Sequence, residues 1–153
     1  MPTIHITTKI KAPIEKVFDL SRNLDLHKIS TGNSKEEAIG GVTSGLINLG
    51  EEVTWRATHL GIRQKLTSGI TKMERPFHFQ DQMKKGRFKK MFHDHIFKQE
   101  GEYTIMKDVF FFESPLGIIG TLFNKIYLTG YMRSLLEERN RVIKEYAEGN
   151  LII

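Results

Sequence analysis

The chain has no cysteine, which excludes disulfide bridges and thiolate metal centres and fits a reducing, cytoplasmic setting. Long hydrophobic runs are missing as well: "VFFF" and "LGIIG" are far too short to cross a bilayer. The opening "MPTIHITTKI" carries no apolar core of signal-peptide length and alternates as a strand does. There is no nucleophile elbow, since "TSG" at 43–45 and 67–69 sits in turn-like and strand-like segments. The glycine-rich "GGVTSGLINLG" lacks the Gly-Lys-Ser/Thr ending of a phosphate-binding loop. It reads instead as a mobile lip whose Leu46, Ile47 and Leu49 either cover a core or gate an oily ligand. Repeats, low-complexity tracts and linker-like stretches are absent, so the expectation is one soluble domain over residues 1–153.

What is present is ordinary for a globular protein: 39% hydrophobic and 27% charged residues, in a chain long enough to bury a core. The net charge of +5 is modest and spread along the chain. One cluster, "KKGRFKK" at 84–90, could meet a nucleic acid, an anionic lipid surface or another protein. No helix or aromatic platform accompanies it, and a solvated hairpin tip is the better reading. No nucleic-acid partner and no stable membrane insertion are therefore expected, and the oligomeric state stays open.

Residues 3–11 alternate Ile4, Ile6, Thr8 and Ile10 as a half-buried strand. Pro13 then suits the first turn of a helix whose Ile14, Val17 and Phe18 share a stripe. Ser21 or Asn23 can cap a second short helix, roughly 22–30, ending near Gly32. From 35 to 113 the pattern is that of five or six antiparallel strands in a meander. "EEVTWRATH" alternates Val53, Trp55, Ala57 and His59. Gly61 turns into "IRQKLTSGITKM", where Ile62, Gln64, Leu66, Ser68 and Ile70 share a face. "RPFHFQDQMKKG" puts Phe77, Phe79, Asp81 and Met83 together, and 87–113 is a hairpin turning near Glu100–Gly101. "SPLGIIG" breaks the sheet. Residues 120–148 follow as one long helix with Leu122, Phe123, Ile126, Tyr127, Met132, Leu135, Leu136, Val142, Ile143 and Tyr146 at helical spacing. Glu137 and Arg141 can pair on its wet side, and Gly149 ends it. The order of elements is that of an α+β domain.

That order, with four stretches in sequence, resembles the START-like (SRPBCC) superfamily of polyketide cyclase/dehydrase-like and lipid-transport proteins, across the whole chain. "TTKIKAPIEKVFDL" is similar to the family's opening strand and proline-started helix. "LGEEVTWRATHLG", "DQMKKGRFKKMFHDHIF" and "YTIMKDVFFFESPLG" are similar to the third strand, the paired-histidine hairpin and the last strand of a bacterial subgroup. The resemblance implies a helix-grip fold, a curved seven-stranded antiparallel sheet wrapped around the long C-terminal helix, with two short helices after the first strand. It also implies a cavity between sheet and helix that holds a hydrophobic small molecule or lipid. No cofactor is implied. The alternative is a cofactor-free polyketide cyclase/dehydratase-like enzyme using His93, His95 and Asp81; enzymatic activity is left uncertain, leaning against.

Alternation aims the more apolar face of each strand into such a cavity. The candidate ligand-binding residues are then Trp55, His59, Gln64, Phe79, Asp81, Met91, His93, His95 and Phe97, with Phe123 from the long helix. Asp108 joins them unless a bulge changes its facing. His93 and His95 share a face and have three readings: bonded to Asp81, Asp108 or backbone and holding the wall, orienting a ligand's polar group, or binding a metal. The metal reading is the weakest, and none is expected. Trp55, the single tryptophan, reads first as a core residue and second as a cavity-lining stacker, two roles that overlap in this fold. Phe110, Phe111 and Phe112 in a row must divide between the two faces of the sheet, putting at least one ring outside.

Overall fold

The computed structural model describes residues 3–31, 35–59, 61–113 and 121–149, and for 121–125 the backbone only. Strand β1 (Thr3–Ile10) buries Ile4 and Ile10. Pro13 precedes helix α1 (Ile14–Ser21), whose buried residues are the expected Ile14, Val17 and Phe18. Asn23 caps helix α2 (Leu24–Ser30), its side-chain oxygen accepting from the backbone N–H groups of Asp25 and Leu26 at 2.9 and 3.1 Å. Gly32, where the sequence ended this helix, lies outside the described residues, as does "SPLGIIG".

Six consecutive strands follow: β2 (Glu37–Gly41), β3 (Glu52–His59), β4 (Ile62–Glu74), β5 (His78–Lys85), β6 (Lys90–Glu100) and β7 (Tyr103–Glu113). Each pairs antiparallel with the next, and β1 returns beside β7, closing a seven-stranded sheet of order β1-β7-β6-β5-β4-β3-β2. Irregular pairing in β2 and twice along β4 adds local twist, which curves the sheet. Gly41 ends β2 at φ +67°, where a Cβ would stand 2.2 Å from the Glu52 carbonyl oxygen, so only glycine fits this approach. Helix α3 (Thr121–Ala147) packs against α1, α2 and β1. Gly149, at φ +85°, follows its last turn. No helix among the described residues is long and apolar enough to cross a membrane.

The main core gathers Phe18, Phe79 and Phe97, with Phe18 edge-on to the other two at 5.3 and 5.2 Å. A second cluster joins Ile4, Met91, Phe110, Phe112 and Leu136, with Phe88 of the basic hairpin tip packed against Phe112. Phe111 takes the opposite face and stacks on Phe92 at 4.9 Å, as a run of three phenylalanines on one strand requires.

Three expectations need correction. Phe77 is 53% exposed, because β5 starts at His78 and Phe77 belongs to the preceding turn. Ile126 and Tyr127 are exposed rather than packed, since the buried stripe of α3 runs through Leu136, Arg139, Asn140, Ile143 and Ala147. Glu137 pairs with Arg133, while Arg141 takes Glu138 and Glu145.

Candidate ligand-binding cavity

The concave face of the sheet, α2 and α3 enclose a cavity of about 470 Å³. Its apolar walls include Ile47, Val53, Ile70, Phe79, Leu128 and Met132. Ile47 is held by its N–H donating to the Arg22 carbonyl, while Arg22 donates back to the Ile47 carbonyl at 3.2 Å. The glycine-rich loop is thus pinned to the junction of α1 and α2 at the cavity wall, while Leu46 and Leu49 face solvent.

The cavity's central polar group comes from β5, β6, β7 and α3. Asp81 stands directly opposite His93 in the sheet, and His95 opposite both Phe79 and Asp108. The hydrogen bonds, however, run diagonally: His95 Nε2 to Asp81 Oδ2 and His93 Nε2 to Asp108 Oδ1, each 2.7 Å. The two imidazoles stack with ring centres 3.7 Å apart, and Phe79 covers the other face of His95 at 4.0 Å. Each carboxylate can only accept, so the Nε2 of each histidine carries the proton. That leaves Nδ1 of His95 as an acceptor, and Arg139 Nη2 lies 3.4 Å from it.

Arg139 also donates to the Ser21 carbonyl, to Asn140 Oδ1 and, at 3.5 Å, to Asp108 Oδ1. Asn140 donates to the other Asp108 oxygen at 2.6 Å. Burial pushes the His95 imidazolium down to about 3, reinforced electrostatically by neighbouring His93 and Arg139 against the pull of Asp81. Burial is the largest influence on Asp81 and raises it, but the His95 hydrogen bond together with the electrostatic pull of His95, His93 and Arg139 outweighs it and holds the carboxyl below its ordinary range. Asp108 shows the same contest of burial against its bond from His93 and the charge of Arg139, and is also lowered.

Asp81, His93 and His95 bring potential metal-ligating atoms within 4.8 Å of one another. Both Nε2 protons already point at carboxylates, and Arg139 places a positive charge against the remaining nitrogen of His95. That arrangement opposes a bound cation.

A second polar group lines the cavity near the β2 edge. His59 Nδ1 is 2.8 Å from the Tyr131 hydroxyl, and its Nε2 is 3.6 Å from Glu36 Oε1. His27 Nε2 is 2.6 Å from Glu36 Oε2, and the His27 ring lies 4.6 Å from that of Trp55. Burial raises Glu36, but the two histidines more than reverse it and hold the carboxyl well below its ordinary range.

Of the residues proposed from sequence, Trp55, His59, Gln64, Phe79, Asp81, Met91, His93 and His95 line the cavity. Phe97 does not: it is sealed in the core against Phe18 and Phe79. Asp108 faces inward but sits behind His93, where His93, Arg139 and Asn140 surround it. The side chain of Phe123 lies outside the described residues. Sequence reasoning missed His27, Glu36, Tyr131, Arg139 and Asn140. For the last two a signal existed: Leu136, Arg139, Asn140 and Ile143 are spaced i, i+3, i+4, i+7, so two polar residues occupy a stripe that should be apolar.

The chain adopts the START-like, helix-grip fold, as comparison with solved structures shows. A START superfamily protein from Mycobacterium smegmatis superposes with a TM-score of 0.73 at 10% identity, covering 97% of this chain and 99% of that one. TTHA0849 from Thermus thermophilus gives 0.72 at 20% identity, covering 93% and 97%. The ginseng major latex-like protein 151 from Panax ginseng gives 0.67 at 15% identity, covering 95% and 97%. No family model and no curated protein sequence matches the chain, so the likeness is one of fold.

Proposed function

We propose that the chain binds a hydrophobic small molecule or lipid, polar at one end, in the cavity between sheet and α3. The observation that carries this reading is the cavity itself: about 470 Å³, walled mainly by apolar side chains, with its histidines and carboxylates gathered into two clusters and Arg22, Lys65 and Arg87 elsewhere in the lining. Small-molecule sites have this size and this pattern of oily wall and few convergent polar groups. Trp55, Phe79 and Met91 would contact the apolar body, and Asp81, His93, His95, His59 and Gln64 are among the polar groups within reach. Native mass spectrometry of the purified chain, before and after organic extraction, tests the proposal. A removable adduct, or restored binding of an added alkyl ligand to the extracted protein, is expected. Failure of every apolar ligand tried to bind the extracted, folded chain would sink it.

The geometry favours binding over proton-transfer catalysis. A general base works best with a pKa near the operating pH. His95 is pushed to about 3 and its Nδ1 faces a guanidinium, while Nε2 of His93 is bonded to the buried Asp108. Replacing both histidines by glutamine would abolish turnover in a cyclase or dehydratase; in a binding protein it only alters affinity.

A further inference from the structure

The polar wall of the cavity is not symmetric between donors and acceptors. Asp108 is met by Asn140 and His93 at 2.6 and 2.7 Å and by the Arg139 guanidinium at 3.5 Å, and it is almost fully buried. The terminal nitrogens of Arg139 are in turn engaged twice each, Nη1 with Asp108 and Asn140, Nη2 with Ser21 and His95. That half of the network is closed on itself.

Asp81 differs. Its Oδ2 accepts from an imidazole held neutral by its surroundings, so the carboxylate has no cation bonded to it. Its Oδ1 has, among the described residues, only the Ser68 hydroxyl, at a long 3.4 Å. Asp81 and Ser68 both line the cavity, and the Asp81 side chain keeps 24% of its surface exposed there. A carboxylate oxygen facing an apolar cavity with so weak a partner is an acceptor awaiting a donor.

We propose that the polar end of the ligand is a hydrogen-bond donor, a hydroxyl or an ammonium, received by Asp81 Oδ1 beside Ser68, and that the site discriminates against carboxylate-headed ligands such as fatty acids. This rests on the binding reading above and adds the chemistry of the head group. A donor head replaces the water that Asp81 would otherwise hold and forms a charge-assisted hydrogen bond. A carboxylate head at the same place meets Asp81 as a like charge in a poorly solvated site and finds the terminal N–H groups of Arg139 already taken.

Trp55 lines the cavity and is the chain's single tryptophan, so its emission reports occupancy. The test is a titration of the purified, extracted chain at neutral pH with decanol, decylammonium and decanoate, which share one alkyl chain and differ in the head. Decanol or decylammonium should bind at least about tenfold more tightly than decanoate, the scale of one hydrogen bond to a charged group. The chain's net charge of +5 favours decanoate at the protein surface, so the expected order would have to come from the site. Asp81→Asn, checked for native fold by circular dichroism, should shrink that preference towards parity. Decanoate binding as tightly as the better donor, or a preference untouched by Asp81→Asn, overturns the inference while leaving the cavity a ligand site. If none of the three changes Trp55 emission or appears as an adduct, the binding reading fails and this inference fails with it. The wild-type series alone decides the matter should the variant not fold.

Discussion

Strands β5 and β6 carry the same His–Asp hydrogen bond twice, once on each face of the sheet. Asp81 and His95 meet inside at 2.7 Å; His78 and Asp94 meet outside, also at 2.7 Å. The residue types and the separation are identical, and only the surroundings differ. The outer pair is part-exposed on both sides, with Gln80 adding a second donor to Asp94. The inner histidine is sandwiched between Phe79 and His93 and backed by Arg139. Water can replace either outer partner, whereas loss of Asp81 would leave the buried Nε2–H of His95 unmatched. A His–Asp pair therefore has no fixed worth; its burial and its further partners set it.

Arg139→Met separates the two faces most strongly. It removes the guanidinium from the inner network, leaves the buried Asp108 carboxylate with only its His93 and Asn140 hydrogen bonds, and frees the Asn140 oxygen and the His95 Nδ1 of their donor. It should cost about 3–5 kcal/mol in urea unfolding at neutral pH. A loss below about 1 kcal/mol would mean that the inner network behaves like a surface one.

The next effect is one of pH. His95 titrates near 3 in the folded chain and near 6.5 when free. Between these values the unfolded chain takes up a proton that the native chain refuses, so stability falls as pH drops through that window. The slope approaches about 1.4 kcal/mol per pH unit for one proton. Asp81, Asp108 and Glu36, all lowered in the fold, add loss of the same sign further down, below the ordinary carboxylate range. His95→Gln keeps a donor for Asp81 and an acceptor for Arg139 but cannot titrate. Thermal unfolding from neutral pH to about 4 should therefore show a shallower decline in the variant than in the wild type. Parallel curves would remove His95 from the account.

The weakest effect belongs outside. Asp94→Asn should change stability by about 0–1 kcal/mol in the same urea assay, in keeping with part-exposed pairs. A cost matching that of Arg139→Met would erase the distinction between the faces.

Much of this was legible in the sequence, and the reasons are physical. With one face of a sheet buried, period-two alternation reports facing directly, which is why "EEVTWRATH" and "MFHDHIF" placed Trp55, His59, His93 and His95 correctly. Alternation also foresaw a carboxylate beside the imidazoles. It could not foresee that twist would pair them diagonally, His95 with Asp81 and His93 with Asp108. Phe77 was misplaced by carrying the alternation back past His78 into the turn that holds Pro76. On α3, stepping back from Ile143 through Leu136, Met132 and Leu128 bypasses Ile126 and Tyr127, which are exposed. The contact of Arg139 with Asp108 spans 31 residues and exists only once the helix lies in the sheet. Local pattern carries no trace of such a contact except a polar residue in an apolar stripe.

A crystal structure of the chain grown with decylammonium or decanol would decide whether the cavity is a ligand site with Asp81 as its acceptor. Density for the alkyl chain is expected between sheet and α3, beside Trp55 and Phe79, with the head within hydrogen-bonding distance of Asp81. A cavity filled by its own side chains, with the ligand absent or confined to the outer surface, would contradict that reading.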